Sequence, residues 1–431
     1  MSIEKITKPE YNTQDFHDEY LSEVAAKLGL DPDHPEREPR KRSILYVPYR
    51  GVSEQLQQDC PNITFTDPDS LETTEAVHNS DVIINIARGE EVVEAEIGHP
   101  DRNVKLPPES LANTEMVGEL YVQAIETGNT DVQVVHTGRM NNKTIAMATA
   151  MPILAEAAGL NEEDVIHTPD AQIRKLVKRT QVDLSGLMHE VGTNPTMQYM
   201  QVCMRALRRI CEARHIDPDT ASSSELTDVL LDEYNNYPRI STSTLMKEQM
   251  LQNVAEKLRS EGKSEKEINE VVGKLDEFTD EEPDSVDTVT NFTNSIPIIL
   301  SKQLIKEGYD ADEVGLMSTE QKMELLADTE MTAVFVADIA HMPRVMWLAD
   351  YLMPDNFKQL AFVESRTNLD EETLRRSMER EERSLNLTRN WLPNQMGTRN
   401  PAKVGKLADK AYWGKDSISN KEINASIQQA K

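Results

Sequence analysis

From residue 43 onward the apolar positions of the chain switch between two periods. Short β-rich runs recur at Ile44-Leu45-Tyr46-Val47, Ile63-Thr64-Phe65, Val82-Ile83-Ile84-Asn85-Ile86, Val132-Gln133-Val134-Val135, Thr332-Ala333-Val334-Phe335-Val336-Ala337 and Leu360-Ala361-Phe362-Val363. Stretches of helical periodicity separate several of them, notably around 110–127 and 143–158. Such alternation predicts a mostly parallel sheet covered by helices. Residues 1–42 carry one amphipathic helix, with Phe16, Tyr20, Val24 and Leu28 on a face and Gly29 as its stop, followed by a linker with Pro32, Pro35, Pro39 and the basic Arg40-Lys41-Arg42. From about 196 to 330 the pattern holds helical segments and no convincing strand, divided by the acidic break Asp280-Glu281-Glu282-Pro283-Asp284. The expected architecture is therefore α/β. Residues 43–212 and 330–385 form one discontinuous, three-layer α/β domain with a mostly parallel sheet. An all-helical insertion at 213–329 interrupts it and projects from it, and a tail at 386–431 is ordered only where it docks.

Composition narrows the function classes. The chain has 431 residues, 38% hydrophobic, 28% charged and only 5% aromatic, with 19 methionines, which implies an aliphatic, adaptable core. Its formal net charge of −29 argues against a general nucleic-acid binder and against adhesion to an anionic membrane surface. Cys60, Cys203 and Cys211 are odd in number and lack metal-ligand spacing, so they read as reduced core residues. The segment Met1-Ser2-Ile3-Glu4-Lys5 opens no apolar leader, and no window approaches the ~18 apolar residues of a membrane span. A cytoplasmic protein is expected.

Candidate chemistry falls at the ends of four segments. Ala87-Arg88-Gly89-Glu90-Glu91 follows the 82–86 run, and His136-Thr137-Gly138-Arg139 follows the 132–135 run, with Asn141, Asn142 and Lys143 beyond it. His189-Glu190-Val191-Gly192-Thr193-Asn194-Pro195-Thr196 precedes a long helical stretch. His341-Met342-Pro343-Arg344 joins the 332–337 run to a helix marked by Val345, Met346, Leu348, Ala349 and Leu352. Ligands bind at the carboxyl ends of strands in open α/β sheets, and a helix start favours an anion. Arg88, Arg139, Lys143 and Arg344 would then make a locally basic cleft for a phosphate or carboxylate. The plainer alternatives stay open: Arg344 pairs with a surface carboxylate, Thr193 or Asn194 caps a helix, and Glu90, Glu91, Glu94 and Glu96 are a solvated cluster. His136, His167 and His189 read as loop residues rather than zinc ligands, and no metal site is expected. There is no Gly-rich dinucleotide fingerprint, Walker-type loop or Gly-x-Ser-x-Gly elbow.

The order of these motifs resembles the YdcF/SanA/ElyC-like family of Rossmann-like α/β proteins. The resemblance runs through roughly 80–212 and 330–365. It rests on Glu119-Leu120-Tyr121-Val122-Gln123-Ala124 leading to Gly128 at a helix end, Thr137-Gly138-Arg139 as the Ser/Thr-Gly turn, Glu190 to Gln198 as a diverged helix-start motif, and His341-Met342-Pro343-Arg344-Val345. It departs where Met197-Gln198 replaces a Glu-Asn pair, where Asn141, Asn142 and Lys143 lack an acidic residue, and where the first loop keeps only Gly89. The resemblance implies a site for a phosphate-bearing or nucleotide-like small molecule, S-adenosylmethionine being one candidate. Its ligand-binding residues would be Arg88, Gly89, Thr137, Gly138, Arg139, Glu190, Thr193, Asn194, His341 and Arg344. No catalytic residue is assigned. The alternative is a non-catalytic protein that binds a protein partner through 213–329.

Overall fold

The computed structural model describes residues 13–25, 42–49, 52–68, 70–87, 106–138, 214–217, 221, 241–283, 285, 288–367, 369–392 and 398–413. Among these residues seven parallel strands build one sheet: β1 (Ser43–Val47), β2 (Ile63–Phe65), β3 (Val82–Ile86), β4 (Gln133–Thr137), β5 (Thr279–Glu282), β6 (Met331–Asp338) and β7 (Phe357–Ser365). Their order is β2-β1-β7-β6-β3-β4-β5. The central strands read as continuous apolar runs because both faces of the sheet are covered. In β3, Ile84 and Ile86 pack into the front layer while Ile83 packs into the back.

The front layer holds α1 (Thr13–Ala25), α2 (Glu54–Asp59), α7 (Thr288–Lys306), α8 (Ala311–Leu316), α9 (Thr319–Leu325) and α10 (Met342–Leu352), with parts of α11 (Glu371–Trp391) and α12 (Pro401–Trp413). The back layer holds α3 (Leu71–His78), α4 (Pro108–Glu126), α5 (Thr242–Ser260) and α6 (Glu265–Phe278). The result is the three-layer Rossmann-like arrangement. Connections that move toward β2 cross the front, and those that move toward β5 cross the back, as right-handed crossovers require. The chain therefore leaves β3 toward the back, through α4, and leaves β6 toward the front, through α10. The crossover direction reverses between these two adjacent strands.

Two elements fix the frame around that reversal. Helix α4 starts with Pro108 at its first position and ends at Gly128, whose φ of +99° suits glycine. The N–H of Gly128 donates to Ile125 O at 3.0 Å and that of Asn129 to Ala124 O at 2.8 Å. Helix α10 follows β6 after a tight turn and is buried on nearly every side, Arg344 alone being half-buried.

Three expectations about organisation are corrected. Residues 213–329 are not wholly helical: β5 lies in the acidic break and pairs with β4, with Glu281 opposite His136 and Glu282 opposite Thr137. The described helices of that segment do not stand off from the sheet either, since α5 and α6 complete its back layer and α7 its front. The boundary at 385 falls inside α11, and the tail docks through Leu392 and Val404, both fully buried in the front core. The predicted helical stretches at 143–158, 196–214 and 223–235 lie almost wholly outside the described residues.

A candidate ligand site at the carboxyl edge of the sheet

Each long strand ends in polar side chains that are buried. Asn85, His136, Thr137 and Asp338 are 0% exposed, Ser365 1%, and Glu282 and Glu364 2%. An unpaired polar group in such surroundings costs roughly 1–3 kcal/mol, so every one of them needs an account of its partners.

On the back face the groups form a belt beneath the first turns of α4. Asn113 donates to Ile86 O at 3.1 Å and accepts from Ser365 Oγ at 2.5 Å, joining the tips of β3 and β7. Thr114 donates its hydroxyl proton to Ser110 O at 2.7 Å. Its oxygen therefore accepts, from Asn85 Nδ2 at 3.3 Å, which fixes the orientation of the Asn85 amide. The same Nδ2 lies 3.0 Å from His136 Nδ1. An amide nitrogen only donates, so Nδ1 accepts and the imidazole proton sits on Nε2. Burial, and then the charge of Lys247, push the His136 pKa down to about 3. The ring is neutral. Two atoms are left over: Asn85 Oδ1, an acceptor, and His136 Nε2, a donor, have no hydrogen-bond partner among the described residues.

On the front face, Asp338 occupies the amino end of α10. Its Oδ1 accepts from the backbone N–H of Ala340 at 3.1 Å and of His341 at 3.3 Å. The helix start that the sequence offered to an external anion thus already faces an internal carboxylate. His341 Nε2 lies 3.2 Å from Arg344 Nη2 and 3.2 Å from Thr288 Oγ1 at the start of α7. Arg344 in turn pairs with Glu381 of α11, Nε to Oε2 at 2.8 Å, with the Glu381 side chain only 5% exposed. The pairing alternative for Arg344 is the one realised, with a buried carboxylate rather than a surface one. Further along the edge, Glu364 accepts from the Tyr46 hydroxyl and from the Tyr49 N–H at 2.9 Å, and lies 3.3 Å from His17 Nε2 of α1. Burial alone would lower the His17 pKa, but contacts with Asp18 and Glu364 outweigh it and raise the value to about 9. Burial and Glu364 hold the Tyr46 phenol well above its ordinary range.

Of the ten ligand-binding residues named from the sequence, Arg88, Gly89, Arg139, Glu190, Thr193 and Asn194 lie outside the described residues, as does Lys143. Thr137 is spent on the sheet: its hydroxyl donates to Asn85 O at 3.2 Å and accepts from Ala87 N at 3.4 Å. Gly138 makes room for α5, since a Cβ there would meet Thr242 Cβ at 2.7 Å. The β4 tip thus touches the start of α5, and Ser243 Oγ donates to Gly138 O at 3.4 Å. His136 is a strand residue with its ring in the core, which corrects its reading as a loop histidine. Asn85, Asp338 and Glu364, which close this edge, are not among the residues named from the sequence. The signal was available in the strands themselves, as a polar residue closing a continuous apolar run.

No group of three or more His, Cys, Asp or Glu side chains suited to a metal occurs among the described residues. A cavity of about 260 Å³ opens between α4, α5 and α6, lined by Val122, Ile125, Leu258, Val271, Lys263 and Lys274 among others. It lies at the end of α4 that precedes β4, away from the polar strand tips. No described helix is long and apolar enough to cross a membrane. Among known proteins, no family model, no curated protein and no solved structure matches this chain.

Proposed function

We propose that the protein binds a small nucleotide-like or phosphate-bearing molecule in the crevice between the carboxyl ends of β3 and β6. The observation that carries this reading is the reversal of crossover direction between these strands, the place where open α/β sheets hold ligands. The buried polar tips beside it supply directional groups that a purely structural edge does not require. The resemblance to the YdcF/SanA/ElyC-like family points the same way, and its departures favour binding over turnover.

A thermal-shift panel of S-adenosylmethionine, nucleotides and sugar phosphates tests this. A true ligand at a hundred times its Kd raises stability by about 2.7 kcal/mol. Hydrogen exchange should then slow at residues 109–111 and 339–341, which flank the crevice. The reading fails if no compound shifts the transition, or if protection appears only around the cavity beside Leu258 and Val271.

A second reading, a partner-binding role for 213–329, is favoured by apolar exposure within it: Leu316 is 90% exposed, Leu325 43%, Ile305 42% and Tyr309 38%. Leu316→Glu would then weaken a complex with a protein partner while leaving the small-molecule response unchanged.

A further inference from the structure

Asn85 and His136 are register partners on β3 and β4, both on the back face and both one residue short of their strand ends. The hydrogen-bond chain from Ser110 through Thr114 leaves an acceptor on one and a donor on the other, both fully buried. We propose that these two atoms form the floor of the ligand site and read the edge of a nucleobase, Asn85 Oδ1 accepting from a base N–H and His136 Nε2 donating to a base nitrogen or carbonyl. The inference rests on the ligand-binding reading above and names the part of the ligand that this end of the site takes.

The two atoms are complementary to such an edge and to little else. Each of the common bases presents a neighbouring donor and acceptor on its pairing edge. A phosphate or carboxylate only accepts, and would set an anionic oxygen against Asn85 Oδ1. An ammonium or sulfonium offers no acceptor to His136. The imidazole is neutral, so it adds no charge that would recruit a phosphate. A neutral planar edge satisfies both atoms together. A small apolar cluster of Ala87, Leu106 and Met246 lies at the tip of β3, two residues beyond Asn85, and a methionine there yields readily to a ligand. The sugar and any phosphate would then extend toward the β3–β6 crevice, one strand away.

The test compares adenosine, guanosine, cytidine and uridine with ribose 5-phosphate and pyrophosphate by thermal shift, on the wild type and two variants. His136→Asn keeps a polar group near the Nδ1 position and removes the donor at Nε2, whereas His136→Gln keeps an N–H near Nε2. At least one nucleoside should stabilise the wild type, bind at least tenfold more weakly to His136→Asn, and be largely retained by His136→Gln. Equal nucleoside affinity in His136→Asn and wild type overturns the inference. So does stabilisation by ribose 5-phosphate or pyrophosphate without any nucleoside, an outcome that leaves the ligand site standing. If no probe binds, the inference falls, and the wider panel with S-adenosylmethionine and nucleotides decides the ligand-binding reading by itself. Should His136→Asn not fold, ¹⁵N-histidine NMR of the wild type decides: the Nε2 resonance must move on adding the nucleoside, and an unmoved resonance at saturation rejects the proposal.

Discussion

Replacing His17 by glutamine tests how the amino-terminal helix is held against the sheet. His17 is 1% exposed and meets Glu364 at 3.3 Å, so its charge and that of the carboxylate are buried together. Its pKa rises from 6.5 to about 9 on folding. A group whose pKa is raised in the folded state binds its proton more tightly there. It therefore contributes stability that is fully present below the unfolded pKa and is lost as pH climbs through the folded one. At 1.36 kcal/mol per pH unit, the contribution is on the order of 3 kcal/mol, present at pH 6 and gone above about pH 9. Urea unfolding followed by circular dichroism between pH 6 and pH 10 measures it directly. The wild type should lose on the order of 3 kcal/mol across that window, and His17→Gln should lack most of this slope. Parallel curves for the two proteins would show that the His17–Glu364 contact does not stay charged in the fold.

Three other outcomes follow from the packing. Arg344→Ala should cost on the order of 3 kcal/mol by leaving Glu381 without its guanidinium, and the double change Arg344→Met with Glu381→Leu should recover most of that loss in urea unfolding. Gly138→Ala forces a Cβ to within 2.7 Å of Thr242 Cβ, whereas at Gly118 the nearest atom is the Val254 Cγ2 methyl at 3.1 Å. The first should cost roughly 1–3 kcal/mol and the second less, and the reverse order would contradict the close approach of α5 to the β4 tip. Val404→Asp places a charge in the front core and should release α12, read as new tryptic cleavage at Lys403 and Lys406. Unchanged digestion would mean that the tail does not depend on that contact.

Local pattern was enough for much of the scaffold. The runs at 44–47, 63–65, 82–86, 332–337 and 360–363 are strands because β-branched and aliphatic residues follow one another without a break, which only a sheet covered on both faces can use. The helix after His341 was legible from its period, and the end of α4 from Gly128. The same local signals say nothing of which strand lies beside which. Nor do they reveal partners far apart in sequence: Glu364 beneath α1, Glu381 against Arg344, or Asn85 opposite His136.

Strand β5 marks the limit most clearly. Thr279-Asp280-Glu281-Glu282 has almost no intrinsic strand preference, and its charges read as a break between helices. At the edge of the sheet it needs only one neighbour, β4, and its charged side chains find partners there: Asp280 accepts from Gln133 Nε2 at 2.8 Å, and Glu282 from Asn294 Nδ2 at 3.1 Å. The sequence by itself determined the apolar strands, the helices that cover them and the strongly acidic surface, because periodicity and charge are properties of neighbouring residues. The tertiary structure alone decided that an acidic tetrapeptide completes the sheet, that the basic residue at the start of α10 is neutralised, and that an amide and an imidazole meet beneath α4. Each of those depends on pairing across scores to hundreds of residues, where burial makes a partner obligatory and only the folded chain can supply it.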